Sequence, residues 1–335
     1  MPRPLRIGVL GAAKITPKAL LAPALRNPDV DVVAVAARDE ATARAYAERY
    51  AIPQVLPDYD ALVAHDGLDA VYNPLPMAFH GRWSVAALEA GKHVLCEKPF
   101  AANGDEAASV VEVADRTGLV VMEAFHHRYH PLMERLVELL ARREIGELRS
   151  VESWFRARIN RPTDIRWNLE LAGGSLMDIG TYPLHLMRTV AGEPEVVAAE
   201  AIERTPGVDR TIRAHLRFSD GPYHRGTVEG RLSSAMLSRR GRGSGALLVG
   251  TQGTIRVDGF VQPTVHNRLE VVSRRGSRAR SFPRTPTTYD AQLVAFVRAV
   301  RDGAPVPTDG RDAVAQMRAI DAIYRAAGME PRQPA

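Results

Sequence analysis

Short apolar runs punctuate the first third of the chain at Leu5–Leu10, Asp31–Ala37, Asp69–Asn73, His93–Cys96 and Leu119–Glu123. Each contains valine and carries apolar residues on both parities, as a strand covered on both faces does. The segments between them have helix punctuation. Thr16-Pro17 offers an N-cap followed by proline at the first helical position. Gly91 and Gly118 stand where helix C-termini need a left-handed residue. Repeated strand–helix units with short links predict a parallel, doubly wound sheet over residues 1–124.

After Glu123 the pattern changes. Pro131 opens an amphipathic helix that runs to about Arg143 and closes near Gly146. Strand-like pieces follow at Leu148–Ile159, Val196–Ile202, Thr211–Phe218, Gly226–Leu232, Ala246–Val249, Thr254–Val257 and Leu269–Val272. Glycine, proline and charged turns separate them, which predicts a large, mostly antiparallel sheet. One helix interrupts it around Asp178–Val190, and two more close the chain, Tyr289–Arg301 and Arg311–Ala327. Residues 125–335 therefore read as an α/β domain with too few helices to cover both sheet faces. An open apolar face is an interaction surface, so a homodimer or homotetramer built on it is expected.

Composition narrows the classes. The chain has 335 residues, suited to two domains, with 45% hydrophobic and 25% charged residues, which sets aside disordered and fibrous classes. Net charge is +5, and its Arg-rich stretches at 238–243 and 274–280 read as solvated loops. With no helix-turn-helix, zinc or aromatic RNA-binding motif, no nucleic-acid partner is expected. The single cysteine, Cys96, rules out an internal disulfide and a Cys-based zinc cluster, and a thiol inside a buried strand is expected to pack. No run approaches the ~20 apolar residues of a membrane helix. Leu5–Leu10 is too short for a signal-peptide core, so a cytoplasmic protein with no membrane partner is expected.

The first strand ends in Gly8-Val-Leu-Gly11-Ala12-Ala13-Lys14-Ile15. Small residues there let the backbone approach a pyrophosphate, and the following helix aims its N-terminal amides at it. The motif fits G-x-x-G-x-A better than G-x-G-x-x-G, and alone it also fits a ligand-free tight turn. Its position at the end of the first strand of a strand–helix–strand unit favours a Rossmann dinucleotide site. The second strand ends in Val35-Ala-Ala-Arg38-Asp39. An arginine where NAD-preferring folds place an acid suits a 2′-phosphate, so NADP is favoured and NAD remains open. Asp39 is expected to cap the next helix.

Two further stretches carry chemistry. Glu97-Lys98-Pro99 follows the fifth strand, beyond whose carboxyl end a ligand would bind, and Lys98 could donate a hydrogen bond or relay a proton. In Gly173–His185 a helix would align Asp178, Tyr182 and His185 on one face. Pro183 requires that helix to begin only a few residues earlier. His126, His127 and His130 have no carboxylate or thiol companions, so no metal site is expected; pocket lining or a helix start suits them better. Trp154 and Trp167 read as sheet or interface residues.

These stretches together resemble the Gfo/Idh/MocA oxidoreductases, the glucose–fructose oxidoreductase and inositol dehydrogenase family. The carriers are Gly8–Ile15, Tyr72-Asn-Pro74-Leu75-Pro76 with His80, Glu97-Lys98-Pro99, Glu123-Ala-Phe with Arg128-Tyr-His-Pro131, Gly173–His185, and Tyr289-Asp-Ala-Gln292 through Phe296. Tyr182 stands where many members have histidine, as in the branch of glucose–fructose oxidoreductase, xylose dehydrogenase and dimeric dihydrodiol dehydrogenase. The resemblance implies cofactor contacts at Gly8, Gly11, Ala12, Ala13, Lys14, Ile15, Arg38, Pro74, Leu75, His80, Glu97 and Lys98. It implies catalysis by Lys98, Tyr182 and Asp178, and substrate contacts at Lys98, His126, Arg128, Arg166, Asp178, Tyr182, His185 and Tyr289. It also suggests a cis Lys98–Pro99 bond. Met77 and the pair His126-His127 depart from the branch's usual residues.

The function expected is an NADP-linked dehydrogenase or reductase of a sugar, polyol or alicyclic diol. Tyr182 would exchange the hydroxyl proton, and a lysine within a few ångströms would bring its pKa down toward the working range. The alternatives are a reductase of a keto-sugar, possibly nucleotide-linked, and a non-enzymatic NADP-binding regulatory protein.

Overall fold

The structure, a computed structural model, describes residues 3–239 and 241–335; Arg240, inside the Arg-rich stretch 238–243, lies outside them. The chain divides into two compact units. One comprises Met1–His126, Tyr289–Val314 and Pro334–Ala335, the other His127–Thr288 and Ala315–Gln333. The expected boundary after residue 124 lies two residues before the first crossing. The return of Tyr289–Val314 to the first unit has a local cause. Glu123 N–H donates to the Thr308 carbonyl at 2.9 Å, Thr308 Oγ1 donates back to the Glu123 carbonyl at 2.8 Å, and Met122 bridges to Asp309. The last strand of the first sheet thus satisfies its free edge with a segment from far along the chain.

In the first unit, β1 (Leu5–Leu10), β2 (Val30–Ala36), β3 (Gln54–Val55), β4 (Ala70–Asn73), β5 (His93–Cys96) and β6 (Val121–Glu123) form a six-stranded sheet. Its order is β3-β2-β1-β4-β5-β6, and every pair is parallel. Four of these strands are buried along most or all of their length, which is why their sequences show apolar residues at both parities. Cys96 is buried in β5. Strand β3 is only two residues long and carries no apolar run for the pattern to register.

The second unit holds an eight-stranded sheet of β7 (Leu148–Arg156), β8 (Glu195–Thr205), β9 (Val208–Gly221), β10 (His224–Ala235), β11 (Gly243–Gly250), β12 (Gly253–Asp258), β13 (Arg268–Ser273) and β14 (Gly276–Arg280). The order is β14-β13-β12-β11-β7-β10-β9-β8, antiparallel except for the central β7–β10 pair. The Arg-rich stretch 274–280 is therefore a turn only at Arg274 and Arg275. Its part Gly276–Arg280 is the exposed edge strand β14, and charge on an edge strand discourages pairing with another chain. Trp154 of β7 packs where a side chain at Gly245 of β11 would stand, 2.4 Å from the missing Cβ.

One face of this sheet is covered by the helix Thr181–Ala191, which packs on β7, β9 and β10. Gly230 of β10 makes room for it: a Cβ there would meet Met187 Cε at 2.8 Å and Phe218 Cε2 at 2.7 Å. The other face overturns an expectation, because it is not apolar. Along β9, Ile212, Ala214, Leu216 and Phe218 are buried on the helix side, while Arg213, His215 and Arg217 alternate to the other. These residues pair across strands with Glu200 and Glu229, Arg213 to Glu200 at 2.7 Å. Strict alternation along half-covered antiparallel strands put the apolar set on the covered side. Among the described residues, no helix is long and apolar enough to cross a membrane.

Candidate active site

The strand order of the first sheet reverses direction between β1 and β4, and the crevice beyond the carboxyl ends of such strands is where ligands enter. Gly11 closes β1 at φ +85°, in the left-handed region. A Cβ there would lie 3.0 Å from Leu75 Cδ2, on the turn after β4, and 3.5 Å from Tyr59 Oη. The bare backbone thus faces a cradle that a side chain would fill, which fits a dinucleotide's pyrophosphate. Gly8 is bare for another reason, close packing, since its Cβ would stand 2.5 Å from Leu68 Cδ1. Ala12, Ala13 and Ile15 are half-buried and Lys14 is exposed. Thr16 does not cap the next helix. Its backbone is already helical (φ −53°, ψ −42°), whereas a cap needs extended backbone, and Pro17–Leu21 opens in wide π turns.

Arg38 stands exposed just past β2, and Asp39 caps the following helix by accepting from the Thr42 amide at 2.7 Å. Tyr59 was not singled out by the sequence, yet it joins Gly11 to this corner. Burial raises its pKa, opposed by the Arg38 charge and by a hydrogen bond from the Arg38 amide. No spacing rule marks such a residue, because it comes from a separate short helix, Tyr59–Val63.

His80 ties two turns together. Its Nε2 lies 2.7 Å from the Leu75 carbonyl and its Nδ1 2.7 Å from the Pro99 carbonyl. Burial pushes its pKa down to about 4 although both carbonyls favour the protonated ring. In this structure it braces the turns that carry Pro74, Leu75 and Lys98. The Lys98–Pro99 bond is cis, as the resemblance suggested. Half-buried Lys98 follows Glu97, whose carboxylate accepts from Tyr72 Oη at 2.8 Å. After the cis bond, the Phe100 amide donates to Glu123 Oε1 at 3.0 Å. Also in this unit, the His126 ring lies on Tyr289 with centroids 4.1 Å apart, and Lys18 Nζ sits 5.5 Å over the same ring. Burial, with the nearby Glu97 charge, raises the pKa of Tyr289.

In the second unit, Leu176–Gly180 is a π turn that runs directly into the helix Thr181–Ala191. The α-helix itself begins two residues before Pro183, as a proline in the first turn requires, and the π turn extends it backwards. A π turn changes the hydrogen-bond register just where Pro183 has no N–H to give the Ile179 carbonyl. Asp178 Oδ2 accepts from Arg166 Nε at 2.6 Å, and Arg166 Nη1 also reaches Asp164 at 3.1 Å. The Asp178 charge raises the Arg166 pKa. Tyr182, 7% exposed, meets the ring edges of His127 (centroids 5.3 Å) and Phe155 (5.9 Å). His185 Nδ1 lies 3.4 Å from His127 Nε2. Tyr182 and His185 are thus brought together through His127, and Asp178 is joined to Arg166. Arg128 is half-buried in the short helical turn His126–Tyr129, and His130 caps the next helix by accepting from the Leu132 amide at 3.1 Å. Trp167 packs with Ile179, Val208 and Met236. Among the described residues, no group of three or more His, Cys, Asp or Glu side chains could hold a metal ion.

Three residues that sequence reasoning missed hold the entry to this helix. Buried Asp209 accepts from the Leu176 amide (2.8 Å), Tyr324 Oη (2.9 Å) and Arg332 Nη2 (2.9 Å). Arg332 Nε donates to the Gly173 carbonyl at 2.8 Å. Gly174, at φ +138°, leaves no room for a Cβ, which would sit 2.2 Å from Asp209 Oδ1. Burial pushes Asp209 up to about 6, with Arg332 and the two hydrogen bonds pulling down. The glycine pair was the visible signal; its partners lie tens of residues away in sequence.

Comparison with known proteins adds the following. A family model described as "Oxidoreductase family, NAD-binding Rossmann fold" matches residues 5–125, and one described as "GFO/IDH/MocA C-terminal domain" matches residues 133–256. The chain is 37% identical over 324 residues to D-xylose 1-dehydrogenase (NADP(+)) 2 of Haloferax volcanii, covering 96% of each. It is 36% identical over 335 residues to dTDP-3,4-didehydro-2,6-dideoxy-alpha-D-glucose 3-reductase of Streptomyces antibioticus, covering 98% of each. Its fold is similar to that of a 3-ketoreductase from Actinomadura kijaniata in complex with NADP and TDP-benzene. That similarity has a TM-score of 0.87 and 29% identity, over 96% of this chain and 98% of that one.

The clamp at the entry to the helix Thr181–Ala191 makes a prediction. Arg332→Met should cost about 3–5 kcal/mol of stability, because it strands a buried carboxylate. Differential scanning calorimetry should show a clearly lowered unfolding temperature, and an unchanged one would mean the clamp carries no load.

Proposed function

The chain belongs to the GFO/IDH/MocA oxidoreductase family, and from that premise we propose an NADP(H)-dependent dehydrogenase or reductase of a sugar, polyol or alicyclic diol. The observation that carries this reading is the bare Gly11 cradle at the β1/β4 switch point, with Arg38 exposed at the neighbouring strand end. When bound, the nicotinamide supplies the hydride acceptor or donor. Arg38 binds the 2′-phosphate in a charge-assisted contact. Lys98 donates a hydrogen bond to the reacting oxygen, and Tyr182 takes or returns its proton. Asp178, held by Arg166, orients a substrate hydroxyl. His126, Arg128, His185 and Tyr289 complete the substrate contacts in this reading.

A second reading, a reductase of a nucleotide-linked keto-sugar, draws support from the Streptomyces antibioticus relative and from the Actinomadura kijaniata structure with TDP-benzene. A turnover screen over aldoses, inositols, dihydrodiols and a nucleotide-linked keto-sugar, with NADP(H) and NAD(H), separates the two readings. No turnover with any of them would favour the non-enzymatic NADP-binding alternative.

A homodimer or homotetramer through the uncovered face of β8–β10 belongs to the same proposal. Arg213, Arg217, Glu200 and Glu229 alternate there beside exposed Ile202, so the face carries both signs of charge and can be complementary to its own copy. Light scattering at micromolar concentration should return at least twice the 36.6 kDa chain mass; a monomeric mass would overturn it. For the cofactor, Arg38→Ala should weaken NADP by about 1.5–3 kcal/mol and NAD much less. Equal losses in a binding titration would mean that Arg38 does not discriminate.

The proton path is tested by turnover. Tyr182→Phe should cut kcat by roughly 10²–10⁴-fold while NADP affinity stays nearly intact. Lys98→Met should do as much or more, and the double variant should lose little beyond either, because the two disable one unit. Near-normal turnover of Tyr182→Phe together with a dead His185→Ala would move the role to His185.

A further inference from the structure

Each of the other buried histidines of the second unit engages the backbone through its ring. His130 caps a helix, and His224 reaches the Ala191 and Gly226 carbonyls. His127 and His185 instead meet each other. Both are buried, at 0% and 1% exposure, with His127 Nε2 3.4 Å from His185 Nδ1 and their rings 82° apart. That separation is at the outer edge of hydrogen bonding. His127 also meets the edge of Tyr182 and is backed by Phe260, 5.6 Å away between centroids. One imidazole thus touches the proposed proton-exchanging ring and its neighbour on the same helix.

The chemistry of such a pair is constrained. An N–H···N contact needs one ring to donate and the other to accept, so a neutral pair holds one proton there. One added proton can go to a nitrogen outside the contact and leave the N–H···N bond intact, whereas protonating both rings would set two N–H groups of like charge against each other in a buried place. Protonation of one ring is therefore felt by the other across the 3.4 Å contact. In this unit the ionisable Tyr182 meets the pair through His127, while His130 follows on the same segment and Asp178, earlier in the stretch that leads into the helix, is engaged by Arg166. Phe155 and Phe260, from β7 and the turn after β12, bring no charge.

We propose that His127 is a positioning residue for Tyr182: bonded to His185, it fixes the tyrosine ring for proton exchange and couples that exchange to the charge of the imidazole pair. This rests on the reading of Tyr182 as the group that exchanges the proton. His127→Phe keeps a ring against Tyr182 but ends the bond to His185. His127→Gln can keep that bond but cannot ionise.

The test has two arms. In the first, the full chain labelled with 15N-histidine is titrated by NMR. The wild type should show two coupled rings that share a proton, and His127→Phe should return His185 to a single independent titration. Two independent titrations in the wild type would overturn the proposal without any variant. In the second, kcat is followed against pH with NADP(H) and the substrate that turns over fastest in the screen. His127→Phe should lose roughly ten- to a hundredfold, the scale of a misplaced reacting group, with KM for NADP(H) within about twofold. His127→Gln should regain most of kcat at the optimum while the acid limb of the profile flattens. An unchanged kcat and profile in His127→Phe, beside an inactive Tyr182→Phe, would sink the positioning role alone. A near-normal Tyr182→Phe would sink the tyrosine reading itself.

Discussion

A carboxylate with no exposed surface must find its partners inside the protein, and Asp209 finds three. Its position on β9 and the hydrogen bond from the Leu176 amide decide where the chain turns from Gly173–Gly174 into the π turn. Arg332, itself 2% exposed, returns near the end of the chain to neutralise the charge and to hold the Gly173 carbonyl. Burying two charges is costly and is offset only when the remaining hydrogen bonds are made. Here they are made by the backbone that leads to Asp178 and Tyr182. The helix that carries Tyr182 and His185 is thereby anchored at its entry by an interaction that sees almost no solvent.

The first unit solves a matching problem with neutral groups. Two turns, after β4 and β5, border the ligand crevice, and neither is part of a helix or strand that would hold it. His80 spans them through their carbonyls, while Glu123 takes the Phe100 amide beyond the cis bond. Both side chains are buried. His80 thus holds the turn whose Leu75, with Tyr59, packs around the bare Gly11.

Much was legible in the chain, and the failures have identifiable causes. Parallel strands buried on both faces announce themselves as valine-containing apolar runs, so five of the six strands in the first sheet were found within a residue or two. Strand β3 was too short to leave a pattern, and β14 was concealed because an exposed edge strand is free to be rich in arginine. The uncovered sheet face was expected to be apolar because helices were too few to cover it. Alternation along β9 had already placed Arg213, His215 and Arg217 there. Pro183 placed the α-helix start correctly, but the π turn before it is not visible in composition or spacing.

By itself the sequence determined the parallel sheet, the fingerprint after β1, the arginine after β2, and the family that these residues and the later motifs share. Each is a local matter, since periodicity, a small residue at a turn or a run of adjacent motif residues is read within a few positions. Only the tertiary structure decided that Tyr59 stands beside Gly11, that Asp209 and Arg332 hold the glycine entry, and that His127 lies between Tyr182 and His185. Those contacts join residues dozens to more than a hundred positions apart. Burial and hydrogen bonding select such partners by where the packed chain brings them, and nothing in the local pattern records that.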